Sequence, residues 1–149
     1  MIVQLQPTNI ATYWPGIKRA LLASNAIKEE EQEKWLLFCL SQLLAGKLQC
    51  WIAYELAEEG QEVRKLHIMI VTSIINDRLF GYNYLTIEAL YGFRSSTDEL
   101  WLEALEGLKT FCRNSDCKYI KALTNNERAK EIAGKLGFFD FSSYYSMEV

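Results

Sequence analysis

Residues 89–101 read ALYGFRSSTDELW, and the folding of this stretch decides the class of the whole chain. ALYGF has the aliphatic and aromatic side chains of a strand end, whereas DELW opens a helix. Trp101, Ala104, Leu105, Leu108, Phe111 and Cys112 recur at i, i+3, i+4 and i+7, which predicts an amphipathic helix over about 97–113. Ser96 and Glu99 fit S-x-x-E, a capping box. A strand that runs into a helix N-terminus is a ready phosphate site, because the first-turn N–H groups lack intrahelical partners and the dipole is positive there. Yet the loop carries one glycine, Gly92, and two acids, Asp98 and Glu99, occupy the first turn. An anion site, a damaged one and a well-capped helix are the three readings.

Working outward, the segments before this stretch read as a short strand at 1–5 and a first helix within 8–24, with Ile10, Tyr13, Trp14, Ile17 and Leu21 on one face. Pro15 either kinks that helix or marks its true first turn. A second helix over 28–45 begins with Glu29, Glu30 and Glu31 and stops at Gly46, with Leu36, Leu37, Leu40, Leu43 and Leu44 as its apolar stripe. Strands at 48–56 and 63–75 flank AEEGQ and pair as a hairpin. A third strand covers 82–92. Beyond the central helix come a strand at 117–123, a second capping box from Thr124 to Glu127, a helix over 125–136 ending at Gly137, and a tail, FFDFSSYYSMEV, that reads as one bent strand or two short ones. The order β-α-α-β-β-β-α-β-α-β gives an α/β (α+β) mixed sheet, a meander followed by βαβ crossovers, with helices on both faces.

A chain of 149 residues, half of them hydrophobic, fits one domain spanning 1–149. A net charge of −3 and no clustered Lys/Arg face argue against nucleic acid as a partner. No apolar run reaches the roughly 18–20 residues that span a bilayer, and MIVQLQPTNI has no signal-peptide character, so a cytoplasmic protein with no membrane association is expected. Cys39, Cys50, Cys112 and Cys117 form no CxxC pair and His67 is the lone histidine, too few compactly spaced ligands for zinc. They read as reduced, mostly buried cysteines.

The element order resembles the GNAT fold of the Gcn5-related N-acetyltransferases, over nearly the whole chain. The sharpest match is NNERAKEIAGKLGF (125–138), where Asn126, Ala129, Gly137 and Phe138 fall at the spacing of the family's Asn-x-x-Ala-…-Gly-Phe helix. The combination of YWPGIKRAL, GKLQCWI, IEALYGF, DELW and TNNERAKEIAGKLGF also resembles small GNAT-like proteins of tailed phages and prophages. The resemblance implies that residues 90–101 cradle the pyrophosphate of acetyl-CoA, with Leu90, Gly92, Arg94, Ser95, Ser96 and Thr97 as contacts and no metal. Arg94, Ser95 and Ser96 read either as a polar anion cradle or as a loop arginine and an ordinary N-cap, and Asn126 either as a hydrogen-bond partner of the pantetheine arm or a water or as a first-turn helix residue. The resemblance also implies a splay between 82–92 and 117–123 that takes the cofactor, and strand amides that polarise the thioester.

The chain also departs from the family pattern Gln/Arg-x-x-Gly-x-Gly/Ala. With Arg94 in the first position, Thr97 and Glu99 stand where glycine and glycine or alanine are expected. A side chain at Thr97 crowds the loop, and a carboxylate about 5 Å from a diphosphate costs about 1 kcal/mol or more. Weak acetyl-CoA binding is therefore expected. The family's tyrosine acid, four residues before Gly-Phe, is replaced by Ala133, leaving Tyr144 or Tyr145 in the tail as substitutes. Glu88 falls where members place a general base, although strand alternation can also turn it to solvent beside Thr86.

Trp51, Tyr54, Tyr82 and Tyr84 are either acceptor-groove or core aromatics, and Glu29–Glu33 is either a solvated helix start or a lure for a cationic amine. The expected acceptor is a small-molecule or protein amine. The rival reading is a non-catalytic binding or structural protein on the same fold, with a protein partner or a second copy.

Overall fold

A computed structural model describes residues 1–55, 65–124, 126–140 and 145–149. β1 (Ile2–Gln4) and a 3-10 turn (Pro7–Asn9) lead into α1 (Ile10–Ser24) and α2 (Glu29–Leu44). Then follow β2 (Leu48–Glu55), β3 (Lys65–Asp77), β4 (Tyr82–Gly92), α3 (Asp98–Asn114), β5 (Cys117–Ala122) and α4 (Glu127–Lys135). The five strands lie in the order β1-β2-β3-β4-β5. Three antiparallel pairings precede a parallel one between β4 and β5, with α3 as the crossover.

The expected order therefore holds as far as α4. The expected tail strand is not found among the described residues, where 138–140 and 145–149 have no regular structure; 141–144 lie outside them. The AEEGQ turn at 57–61 also lies outside, while the strands on either side pair antiparallel as a hairpin requires. Pro15 sits inside α1, not at its start.

β2 and β3 are covered on both faces, which is why they read as near-continuous apolar runs. On one face Cys50, Ile52, Tyr54, Met69, Val71 and Ala89 pack against Ile17, Ala20 and Leu21 of α1 and Cys39 and Leu43 of α2. On the other, Trp51, Ala53, Ile68, Ile70 and Leu85 pack against Leu100, Ala104, Leu108 and Cys112 of α3. The α2 stripe needs correction. Cys39 and Leu43 are buried, but Leu37 is 61% exposed and Leu44 52%, because the helix rests on the sheet by a narrower seam than its leucines suggest.

Candidate active site

The parallel ladder between β4 and β5 runs from Asn83 opposite Cys117 to Ile87 opposite Ala122 and then stops. β4 continues to Gly92 while β5 ends, so residues 88–92 border a wedge between the two strands. At its base β4 bulges. Val71 pairs with Ala89 but Thr72 pairs with Ile87, and Glu88 is the extra residue. The bulge breaks the alternation that would turn Glu88 to solvent. Its Oε1 instead accepts a 2.5 Å hydrogen bond from Ser73 Oγ, and the side chain is half-buried. The carboxylate also lies near enough to Cys39 of α2 to reinforce burial in pushing that thiol's pKa up.

Backbone groups alternate along an antiparallel strand. The Phe93 N–H donates to the His67 carbonyl at 2.8 Å, so the residues two and four before it also face β3. Leu90 faces the wedge. The end of α1 meets it there: the Leu90 N–H donates to Ser24 Oγ at 3.0 Å, and Ser24 Oγ donates to the Leu90 carbonyl at 3.1 Å. Asn25 Nδ2 donates to the Glu88 carbonyl at 3.0 Å and to the Leu21 carbonyl at 2.9 Å.

Beyond Gly92 the Phe93 ring turns inward against Tyr91, with ring centroids 4.8 Å apart. Arg94 and Ser95 are exposed. The expected Ser96–Glu99 capping box is not formed. Thr97 is the N-cap of α3, and its Oγ1 accepts from the Leu100 N–H at 3.2 Å. Ser96 is drawn away because its Oγ lies 3.3 Å from His67 Nδ1 and donates to the Arg94 carbonyl at 3.3 Å. His67 is buried; its Nε2 lies 3.4 Å from Glu55 Oε2 but is not aligned as a hydrogen bond. Asp98 and Glu99 follow, so the first-turn amides available to an anion sit under two carboxylates. Arg19 of α1 stacks over Tyr91 at 5.5 Å and brings a second guanidinium toward this end of β4.

The start of α4 is corrected in the same way. Thr124 does not cap it; Asn126 does, and its Oδ1 accepts from the Ala129 N–H at 3.2 Å. The other end behaves as expected. Gly137 is left-handed at φ +89°, and N–H groups of Gly137 and Phe138 reach back to the carbonyls of Gly134 and Ala133. Asn126 Oδ1 is thus used in capping α4, and Ala133 lies on that helix at the position where the resemblance implies a tyrosine.

The aromatics do not share a groove. Trp51 packs on the α3 side with Phe111 and donates to Thr72 Oγ1 at 2.9 Å. Tyr54 is buried on the α1–α2 side, and Tyr82 and Tyr84 join Tyr119 in a cluster at the far end of β4. Tyr144 lies outside the described residues, and Tyr145 is 94% exposed. Glu29, Glu30, Glu31 and Glu33 are exposed along the first turns of α2. Among the described residues no three His, Cys, Asp or Glu side chains gather as a metal site, and no helix is long and apolar enough to cross a membrane.

Solved structures match the chain from end to end. A probable acetyltransferase superposes with a TM-score of 0.74 at 15% identity, covering 100% of this chain and 97% of its own. The chain has the GNAT fold. A predicted acetyltransferase from Clostridium acetobutylicum, solved with acetyl-CoA, gives 0.70 at 15% identity, covering 99% and 95%. The aminoglycoside acetyltransferase AAC(6')-Iy, solved with a CoA-S-monomethyl-acetylneamine bisubstrate analogue, gives 0.65 at 16%, covering 100% and 98%. No protein-family model matches the sequence, and neither does any curated protein. The phage-like pattern thus rests on the short sequence matches alone.

Ser24, Asn25, Ser73 and Arg19 were not legible as site residues. They reach the wedge through tertiary packing from α1 and β3, and nothing in their local sequence marks them.

Proposed function

We propose that the chain is an acetyl-CoA-dependent N-acyltransferase of amines, with the wedge beside β4 as its donor site. The observation that carries this reading is the bulge at Glu88. It sets a half-buried carboxylate, held by Ser73, at the point where β4 and β5 part. Solved neighbours on this fold bind acetyl-CoA or a CoA bisubstrate analogue. The residues present suit a diphosphate in part: the α3 N-terminus and Arg94 attract it, while Asp98 and Glu99 oppose it.

In this mechanism the donor lies along β4 residues 88–92, and a wedge-facing amide of that strand polarises the thioester carbonyl. Glu88, directly or through one water, removes a proton from the acceptor amine. The amine nitrogen then forms a bond to the acyl carbon, the C–S bond breaks, and the CoA thiolate leaves. With Ala133 in place of a tyrosine, the thiolate departs without a side-chain acid from α4. The exposed acids at the start of α2 favour a cationic acceptor.

The test pairs calorimetric titration of acetyl-CoA and CoA at two salt concentrations with an acetylation assay over an amine panel. Expected are salt-sensitive binding that weakens in Arg94→Ala, and a kcat about a hundredfold lower in Glu88→Gln with KM for acetyl-CoA unchanged. No binding at millimolar ligand sinks the reading and favours the non-catalytic alternative, a binding or structural protein. The carboxylates beside the α3 N-terminus favour that alternative too.

A further inference from the structure

The wedge-facing backbone of β4 is already occupied. Leu90 directs both its N–H and its carbonyl into the wedge, and one hydroxyl, Ser24 Oγ, engages both, at 3.0 and 3.1 Å. The next wedge-facing carbonyl, that of Glu88, accepts from Asn25 Nδ2 at 3.0 Å. Together these two residues do for β4 what a neighbouring strand would have done had β5 continued beyond Ala122. They are consecutive, and they stand where α1 gives way to the turn before α2. Ser24 is exposed, so neither burial nor core packing fixes it there. Asn25 is anchored differently, since its amide also donates to Leu21 at 2.9 Å and so closes the end of α1.

We propose that Ser24, seconded by Asn25, is a plug. It holds the strand edge that the acyl donor needs, and acetyl-CoA must displace it to lie along β4. This inference rests on the reading of the wedge as a donor site. Any donor amide that pairs with Leu90 competes with the Ser24 hydroxyl for the same N–H and the same carbonyl, because each group faces one direction only. The plug therefore lowers donor affinity by the free energy of the Ser24 contacts, independently of the carboxylates around the α3 N-terminus. It also makes the end of α1 the element that moves when donor enters, while the core residues of that helix, Ile17, Ala20 and Leu21, stay seated.

The experiment compares wild type, Ser24→Ala and Ser24→Thr by calorimetric titration with acetyl-CoA, and by amide hydrogen exchange at Leu90 without ligand. Ser24→Ala should bind acetyl-CoA about tenfold more tightly, the equivalent of one or two released hydrogen bonds. Its Leu90 amide should exchange faster than in wild type. Ser24→Thr keeps the hydroxyl and should match wild type in both readouts. Equal or weaker binding by Ser24→Ala, with wild type binding measurably, overturns the plug and leaves the donor site standing. No binding by wild type or Ser24→Ala at millimolar acetyl-CoA overturns the donor-site reading itself and the plug with it.

Discussion

Thr97 carries the entry to α3, and Ser96 carries something else. Truncating the cap in Thr97→Ala removes the acceptor of the Leu100 N–H and should cost about 1 kcal/mol in urea unfolding. Ser96→Ala should cost far less on that measure, since Ser96 touches His67 and Arg94 and not the helix amides. Equal losses would restore the capping box that the S-x-x-E spelling suggests. The spelling misleads because two hydroxyls stand side by side, and a buried histidine 29 residues away competes for the first of them. At α4 the cap is displaced by two residues, from Thr124 to Asn126. Glu99 makes a sharper test of the loop as an anion site. Glu99→Gln should lower the Kd for acetyl-CoA several-fold in low salt, and the gain should shrink in about 0.5 M salt, where charges are screened within a few ångströms. A gain that survives high salt would assign the effect to something other than charge.

Elements were more legible than the contacts between them. The apolar runs of β2 and β3, the helical stripe of α3 and the Gly137–Phe138 stop are local patterns, and each folds as its pattern implies. The β4 bulge is not local: whether Glu88 has an opposite number depends on the register of β3, which no residue near Glu88 encodes. The packing of α3 on β1 is of the same kind. Gly107 reads as a weak point in a helix, but a Cβ there would overlap Ile2 Cγ2 and sit 3.7 Å from its Cβ. Alanine normally gains about 1 kcal/mol over glycine in a helix. Here that gain is set against overpacking of about 1–3 kcal/mol onto a β-branched side chain with little freedom to turn away. Gly107→Ala should therefore destabilise the protein, and the same substitution in an Ile2→Ala background should stabilise it. A double-mutant cycle that shows no change of sign would mean that β1 simply shifts.

At the scale of the whole molecule, three of the four thiols are sealed between the sheet and its helices, on both faces. Composition and spacing pointed to reduced, mostly buried cysteines, and their consequence is a dependence on alkaline pH. Burial pushes the Cys50 thiol from an ordinary 9.0 up to about 12. It pushes Cys112 up to about 11, with help from the neighbouring Cys117 thiol. Cys39 and Cys117 are raised as well, mainly by burial. A thiol with a raised folded pKa keeps its proton where the unfolded chain has already lost it. Its contribution is whole below about pH 9 and is lost as pH climbs through the folded value, by at most about 1.4 kcal/mol per pH unit for each group. The melting temperature should thus hold below pH 9 and fall steeply above it. Cys50→Ala, although less stable at neutral pH through its lost packing, should show a shallower fall between pH 9 and 11 than wild type. Parallel curves for the two proteins would mean that the alkaline loss belongs to the tyrosines and lysines, and that burial of Cys50 between α1, α2 and β2 does not govern it.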